Sequence, residues 1–324
     1  MGADRGPAEI ISGARQAAAE FAIPVALVGD PALMGDTFGL DVIAASESVD
    51  PGEDPANAVR RKKDASVVRA AEAVRDGAAS AMVSAGNTGA AMASALLRIG
   101  RISGVSRPAI AAPLPVPGHR PTILLDCGAN AECSPAWLVQ FAQMGAVFAA
   151  QRFAIAAPRV SLLSIGEEPT KGTPLVKATH ALLATEGTLP SGAVFVGNVE
   201  GRDALTGATD VIVTDGFTGN VLLKSLEGGV KVVMGALVSS LGASEEGRSA
   251  LAVLSPLLAP LVAELDVDNY GGAMLLGVNG VCIISHGSSS AKAIVNAVKV
   301  AAEMVEADLI EHLRQAITPA AVSD

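Results

Sequence analysis

The stretch Thr122-Ile123-Leu124-Leu125-Asp126-Cys127-Gly128-Ala129-Asn130 passes from a short apolar run into a small, polar loop. Such a run predicts a β-strand, here over residues 122–126, and the loop predicts a turn toward a helix. Other apolar runs alternate with longer helical patterns in the same way; they are residues 25–28, 81–84, 160–164, 193–196 and 211–214. The alternation predicts an α/β fold with a mostly parallel sheet.

Most of these runs are apolar throughout rather than at every second residue. Strands of that kind are covered by helices on both faces, so we expect a Rossmann-like three-layer αβα sandwich. In such folds the active site lies at the carboxyl ends of the strands. Several strand ends continue into small or polar loops that we expect to meet at one crevice: residues 84–89, 126–130, 164–168, 197–203 and 214–220.

The C-terminal third predicts a different pairing. Residues 274–278 and 281–285 flank Asn279-Gly280, which is typical of a two-residue hairpin and makes the sheet mixed. One long amphipathic helix is expected over 289–313. Pro256 and Pro260 are expected to prevent a regular helix over 251–265, inside an apolar excursion at 235–268. We expect one catalytic unit, residues 1–318, whose two lobes share a sheet, and a disordered tail at 319–324.

Composition excludes several classes of protein. The 324 residues are 50% hydrophobic and 3% aromatic, which is enough for a large aliphatic core. The net charge of −10 argues against nucleic acid as a partner. Three cysteines without a CxxC pair predict neither a disulfide framework nor a thiol zinc site, which fits a reducing cytoplasm. We expect no metal and no cofactor. The N-terminus lacks a secretory signal, and residues 137–150 predict a core helix rather than a membrane span.

Residues 84–89, Ser-Ala-Gly-Asn-Thr-Gly, lie between a predicted strand and a helical pattern at 90–99. Backbone N–H groups at the start of such a helix suit a phosphate or another oxyanion. The alternative is an ordinary turn in which Thr88 caps the helix. The loop matches neither the dinucleotide nor the Walker fingerprint, so a nucleotide site is not expected.

Polar side chains at three other strand ends have a chemical and a structural interpretation. Lys171 could stabilise an anion or charge on a transition-state oxygen, or it could pair with Glu167 or Glu168. Asn220 could donate its amide to an acyl oxygen, or it could cap the next helix. His286 could act as a general acid or base, or as a structural hydrogen-bonding residue.

Two further features of the sequence each have two interpretations. Cys127 could accept an acyl group as a thiolate, but no histidine lies near it in sequence, and a small residue in an apolar strand explains it equally well. The run Arg60-Arg61-Lys62-Lys63 is a dense basic segment in an acidic chain. It is either a solvated surface or the place where an acidic partner docks.

Together these motifs resemble the PlsX family of phosphate acyltransferases, which convert acyl-acyl carrier protein and inorganic phosphate into acyl phosphate for bacterial phospholipid synthesis. The matching strings keep the family's order over nearly the whole chain; they are residues 1–4, 84–89, 125–130, 166–172, 197–203, 213–220, 270–273 and 286–289. The resemblance implies a fold like that of the isocitrate and isopropylmalate dehydrogenases, and a cytoplasmic homodimer. It also implies transfer of the acyl phosphate to a membrane-bound glycerol-3-phosphate acyltransferase. Residues 251–265 then become a candidate for peripheral contact with the inner face of the membrane or a partner, or for an apolar dimer or helix-pair surface.

The implied reaction is direct attack of a phosphate oxygen on the thioester carbonyl, so the protein mainly holds two anions together and stabilises the tetrahedral intermediate. We expect Lys171 and Asn220 to supply that stabilisation, with His286 and Asp126 as further catalytic candidates. The expected phosphate-binding residues are Asn87, Thr88, Gly89, Asn130, Asn198, Ser288 and Ser289. The expected carrier-protein docking residues are Arg60, Arg61, Lys62 and Lys63.

The chain departs from the family at its start. Family members begin with an apolar strand that leads into Met-Gly-Gly-Asp, whereas this sequence begins at that Met and has Ala3 in place of the second glycine. The resemblance therefore implies that the first strand is missing. Either the assigned start codon or the stability of the sheet is then in question. Other functions to test are a short-chain enzyme acting on acyl-CoA, a nicotinamide-dependent dehydrogenase, and a non-enzymatic scaffold that recruits lipid enzymes to the membrane.

Overall fold

A computed structural model describes residues 6–50, 52–190 and 192–317. The motif at residues 1–4 and the tail predicted at 319–324 lie outside the described residues. The strands are β1 Ala26–Gly29, β2 Asp41–Ala44, β3 Ala81–Ser84, β4 Ala109–Leu114, β5 Thr122–Leu125, β6 Arg159–Leu163, β7 Val194–Val199, β8 Val211–Val213, β9 Ala273–Leu276 and β10 Val281–Ile284.

The helices alternate with these strands; they are α1 Pro7–Phe21, α2 Pro31–Met34, α3 Pro55–Arg61, α4 Ser66–Arg75, α5 Thr88–Ser94, α6 Pro135–Phe153, α7 Pro174–Leu183, α8 Gly216–Gly242, α9 Glu245–Leu265, α10 Ala291–Glu306 and α11 Leu309–Ala316. A π-helical turn, Ala95–Ile99, continues α5. Short 3₁₀ turns lie at Gly201–Leu205 and Val267–Tyr270.

The main sheet has eight strands in the order β3-β10-β9-β4-β5-β8-β6-β7. Strands β3 and β10 are parallel, as are β5, β8, β6 and β7, while β9 and β4 pair antiparallel with their neighbours. The predicted mixed, mostly parallel α/β fold is confirmed. The polar loops therefore form two groups, one after β3 and β10 and one after the four parallel strands that begin at β5. Three antiparallel pairings separate β10 from β5, so the two groups follow strands of opposite direction and lie at opposite edges of the sheet. The prediction that all these loops meet at one crevice was wrong.

Alternate residues of the central strands belong to different apolar clusters. In β5, Ile123 and Leu125 pack with α6, α10 and α11 on one face of the sheet. Leu124 packs with residues of α4, α5 and α8 on the other face. Both faces are buried, which explains why these strands are apolar throughout and confirms the three layers. Helix α6 is largely buried, as residues 137–150 predicted, and Ser134 caps it through the Trp137 amide.

Strands β1 and β2 form a small parallel sheet of their own. A cavity of about 560 Å³ separates β1 from β3, with both strands on its sides and α1, α4 and α10 among its walls. In the described ranges β1 pairs with β2 and β3 pairs with β10, so the two strands leave a gap between their sheets.

Three local predictions were wrong. Strands β9 and β10 are joined by four residues, 277–280, instead of two, because Gly277 takes a φ of 93° and Val278 is buried and bridges to Arg101. The single helix predicted over 289–313 is two helices, because Asp308 takes a φ of 49° between α10 and α11. Residues 251–265 are helical in spite of two prolines.

Helix α9 tolerates Pro256 and Pro260 because none of its residues is buried. The carbonyl groups that lose a helical hydrogen bond stay within reach of water, and the Ser255 hydroxyl donates to the Leu251 carbonyl at 2.7 Å. Helix α9 packs against α8. By length and composition, α9 is the one helix of the described residues that could cross a membrane, a test that helices of soluble proteins also pass.

Candidate active site

Asp126 organises the loop that follows β5. Its carboxylate is fully buried; Oδ1 accepts from the amides of Ile110, Gly128 and Ala129, and Oδ2 from the amide and side chain of Asn130. Burial raises the pKa of this carboxyl group, against the effect of those hydrogen bonds. Because both oxygens are occupied, Asp126 holds the loop in shape and does not face an open space.

Asn130 has a similar role. Its side-chain amide donates to Asp126 and to the Pro108 carbonyl, both at 2.8 Å, and its own carbonyl accepts from the Gly216 amide at 2.7 Å. The loop after β5 is thereby tied to the start of α8, where Asp215 is the N-cap through the Thr218 amide.

Asn220 lies directly over this loop. A Cβ added to Gly128, whose φ is 126°, would stand 3.7 Å from the Asn220 side chain. Asn220 is exposed and lies beyond the first turn of α8, so the capping alternative does not apply to it. Its amide is free to face a substrate beside the loop of residues 126–130.

The loops after β3 and β10 lie side by side, because the Ser285 amide donates to the Ser84 carbonyl at 2.8 Å. Asn87 caps α5 through the Ala90 amide, and Ser290 caps α10 through the Ala293 amide, so each helix starts a few residues after these paired strand ends. Thr88 is not the cap that the structural alternative required. Thr88 and Ser288 are exposed, whereas Ser289 is buried.

Helix α8 links the two groups of loops. Asn220, Lys224 and Glu227 are spaced so that they share one face of the helix. The Lys224 ammonium is 2.9 Å from Glu227 Oε2 and 3.3 Å from His286 Nε2, and Glu227 Oε1 is 3.5 Å from the same nitrogen. Burial would raise the pKa of Glu227, but the contacts with His286 and Lys224 outweigh it and lower that pKa to about 2.

Lys224 and Glu227 were not among the site residues predicted from the sequence. They are 62 and 59 residues from His286, and neither lies in a loop at a strand end. The one signal in the sequence was their helical spacing from Asn220, which becomes informative only once the start of α8 is known.

Lys171 follows β6, at the edge where β5, β8 and β7 also end. It is exposed, and among the described residues it forms no ion pair with Glu167 or Glu168. Asn198, which is 5% exposed, donates to the Glu168 carbonyl at 3.0 Å, and the Lys171 amide donates to the same oxygen at 2.9 Å. Asn198 therefore shapes the Lys171 loop; its other amide atom contacts His180 at 2.9 Å.

The basic run ends α3 and continues past it. Lys62 forms an ion pair with Glu53 and donates to the Ser48 carbonyl, so it is held within its own segment. Arg60, Arg61 and Lys63 are exposed. A Cβ on Gly89 would stand 2.6 Å from Pro55 at the start of α3, which places α3 next to the loop after β3.

Cys127 is poorly placed to act as a nucleophile. It is 7% exposed, its thiol donates to the Leu124 carbonyl at 3.1 Å, and burial raises its thiol pKa well above the usual range. Within residues 6–50, 52–190 and 192–317, no cluster of three His, Cys, Asp or Glu side chains could hold a metal ion.

Comparison with known proteins shows the family of this chain. The family model described as "Fatty acid synthesis protein" matches residues 1–312. A phosphate acyltransferase of Pelotomaculum thermopropionicum is 46% identical over 98% of this chain and 93% of its own length. Another, from Heliobacterium modesticaldum, is 47% identical over 98% of this chain and 96% of its own.

Two solved structures share the fold. A branched-chain phosphotransacylase from Enterococcus faecalis gives a TM-score of 0.59 at 18% identity, over 93% of this chain and 96% of that one. A phosphotransacetylase from Streptococcus pyogenes gives 0.59 at 18% identity, over 91% of each chain.

Proposed function

This chain belongs to the PlsX family of phosphate acyltransferases, and on that premise we propose that its acyl donor is acyl-acyl carrier protein and its acceptor is inorganic phosphate. The product is acyl phosphate for phospholipid synthesis. A phosphate oxygen attacks the thioester carbonyl directly, and the phosphopantetheine thiol leaves. The reaction needs no cofactor, since phosphate already carries the nucleophilic oxygen.

The observation that carries this proposal is the hydrogen bond from the Ser285 amide to the Ser84 carbonyl, which joins the loops that lead into α5 and α10. Unpaired N–H groups at a helix start bind phosphate well, and those at the start of α5 are the proposed donors. The first amide of α10, that of Ala291, already donates to the Glu9 carboxylate at 2.7 Å. We place the phosphate at the start of α5, held by Asn87, Thr88, Gly89, Ser288 and Ser289.

Lys171 and Asn220 are the proposed stabilisers of the oxyanion. Both side chains are exposed; Lys171 lies in the loop after β6, and Asn220 lies in α8, which follows the parallel strand β8. The ammonium group of Lys171 has no carboxylate partner in the described part of the chain. A fixed amide donor and a cation stabilise a tetrahedral oxyanion more than they stabilise the thioester.

Three predicted site residues are proposed to position their neighbours and not to contact the substrate; they are Asp126, Asn130 and Asn198. Their polar atoms form hydrogen bonds with the loop beside Asn220 and with the loop that carries Lys171. Preorganised loops keep catalytic donors in place, so these three residues act through their neighbours.

The carrier protein is proposed to dock on Arg60, Arg61 and Lys63. These cations are exposed in a chain of net charge −10, and α3 contacts the loop that we assign to phosphate. An acidic carrier protein bound there would bring its thioester toward the phosphate.

We propose further that the enzyme is a cytoplasmic homodimer that passes acyl phosphate to a membrane-bound glycerol-3-phosphate acyltransferase. The exposed apolar side chains of α8 and α9 support a contact with a second copy, the inner face of the membrane, or that partner; they include Val232, Val233, Val253 and Leu257.

The test of the donor is a comparison of phosphate-dependent thioester cleavage with acyl-acyl carrier protein and with acyl-CoA of the same chain length. We expect a clear preference for the carrier protein in kcat/KM. Preference for short acyl-CoA would identify the short-chain alternative, to which the fold of the solved phosphotransacylases is equally suited. Vesicle binding without thioester cleavage would identify the scaffold.

A further inference from the structure

One cluster of charged and titratable side chains contains Lys224, Glu227 and His286. Glu227 is its least exposed member. The Glu227 side chain is 15% exposed, against 48% for Lys224 and 54% for His286. The carboxylate thus lies beneath two groups that face solvent. Both residues of α8 approach the same nitrogen, His286 Nε2, at 3.3 Å for the ammonium and 3.5 Å for the carboxylate.

This arrangement offers a partner to either state of Nε2. When Nε2 carries a proton it can donate toward Glu227, and when it carries none it can accept from Lys224. Within the described residues Nδ1 forms no hydrogen bond. When a carboxylate accepts a hydrogen bond from one ring nitrogen, the other nitrogen can exchange a proton with a substrate. The aspartate and histidine of a hydrolase triad have the same two roles.

The proposed reaction has a proton to move. Hydrogen phosphate and the thioester give acyl phosphate and a free thiol, so the proton on phosphate must reach the sulfur. The loop that carries His286 also carries Ser288 and Ser289, which the proposed function assigns to phosphate binding.

We propose that His286 Nδ1 accepts the proton of hydrogen phosphate as the O–C bond forms, and delivers it to the sulfur as the C–S bond breaks, with Glu227 and Lys224 as positioning residues. The proposal rests on the proposed function. The proton count balances, because the proton lost by phosphate is the one gained by the thiol, and no other reactant is needed.

The cluster makes opposite predictions for its two supporting residues. The charged groups that contact His286 in the described residues are Glu227 and Lys224; the nearby Cys127 thiol stays uncharged because burial raises its pKa. Glu227 brings a negative charge to within 3.5 Å of Nε2, and Lys224 brings a positive charge to within 3.3 Å of it. Since a proton acceptor must start neutral, Glu227→Gln should shift the acid limb of the kcat profile to lower pH, and Lys224→Met should shift it to higher pH, each by about one unit.

The experiment measures kcat against pH at saturating phosphate for the wild-type enzyme, Glu227→Gln, Lys224→Met, His286→Asn and the control Glu245→Gln on α9. Ionisation of phosphate itself is common to all variants, and the His286→Asn profile isolates it. Glu245→Gln should match the wild type. If a variant is too slow for a kcat profile, NMR measures the titration of its His286 ring instead. The ring signal is assigned as the one that disappears in His286→Asn.

Opposite shifts of the two variants, together with loss of the histidine limb in His286→Asn, support the relay. An unchanged limb in both variants, or a histidine limb that persists in His286→Asn, overturns it even when turnover falls. If the wild-type enzyme shows no phosphate-dependent thioester cleavage, the proposed function itself fails, and the two failures are therefore distinguishable.

Discussion

Gly219 of α8 lies so close to Asp126 that a Cβ on the glycine would stand 2.0 Å from the aspartate carbonyl oxygen. No side chain fits there, so the first turn of α8 can rest on the loop after β5 only because this residue is glycine. That contact sets the position of Asn220, the next residue along the helix.

Gly219→Ala should therefore reduce turnover at least tenfold, because α8 must move away from the loop and carry Asn220 with it. The matched control is Gly228→Ala in the same helix, where an added Cβ meets nothing within 4 Å. The control should keep full activity and gain about 0.5–1 kcal/mol of stability from its better helix propensity. Equal behaviour of the two variants in kinetics and urea unfolding would refute the contact's importance.

Lys171→Ala should lower kcat by about 10²-fold while it changes the KM for phosphate by less than about threefold, because a charge aimed at the tetrahedral oxyanion acts mainly in the transition state. Steady-state kinetics with varied phosphate measure both constants. Lys177→Ala, an exposed lysine on α7, is the control. Unchanged turnover in Lys171→Ala would show that Lys171 is not a catalytic residue.

Arg60→Glu combined with Arg61→Glu should raise the apparent KM for acyl-acyl carrier protein by about tenfold at low salt, and the difference should shrink as salt rises, since it reflects screened attraction. Lys62 is left intact because it is bound to Glu53. The charge-matched control is Arg120→Glu with Lys177→Glu, two exposed cations in the loop before β5 and on α7. A KM that does not respond to the α3 reversal places docking elsewhere.

Cys127→Ala should keep turnover within about threefold of the wild type and cost about 1 kcal/mol of stability through the lost sulfur contacts. Burial raises the pKa of this thiol, which disfavours the thiolate that would have to accept the acyl group. Kinetics and mass spectrometry of the enzyme mixed with acyl donor check this. An acyl adduct on Cys127, or a loss of turnover near 10³-fold, would restore the covalent mechanism.

Much of the fold could be predicted from apolar runs. The strand at residues 122–126 was predicted because Ile123, Leu124 and Leu125 are buried between two layers of helix, an environment that selects apolar residues at every position. Strand β4 was missed because it is rich in alanine and contains Pro113, both of which favour strands weakly. Its place in the sheet depends on its antiparallel pairing with β9 and β5, which the residues of β4 alone do not predict.

The candidate site could be predicted only in its loops. Strand ends marked Asn220, Lys171 and His286, because small and polar residues interrupt apolar runs there. The partnership of Glu227 with His286 could not be predicted, since it joins a helix face to a loop 59 residues away. The hydrogen bonds of Asp126 and Asn198 also had no local signal, so residues that shape loops were grouped with residues that could touch substrate.

The central claim is that this chain moves an acyl group from a carrier-protein thioester to phosphate, and the most direct test is a product measurement. The purified enzyme is mixed with acyl-acyl carrier protein, with and without inorganic phosphate, and acyl phosphate is trapped with hydroxylamine. We predict one acyl hydroxamate for each thiol released, formed only when phosphate is present. Thiol release that does not depend on phosphate, or no hydroxamate above the enzyme-free control, would contradict the account.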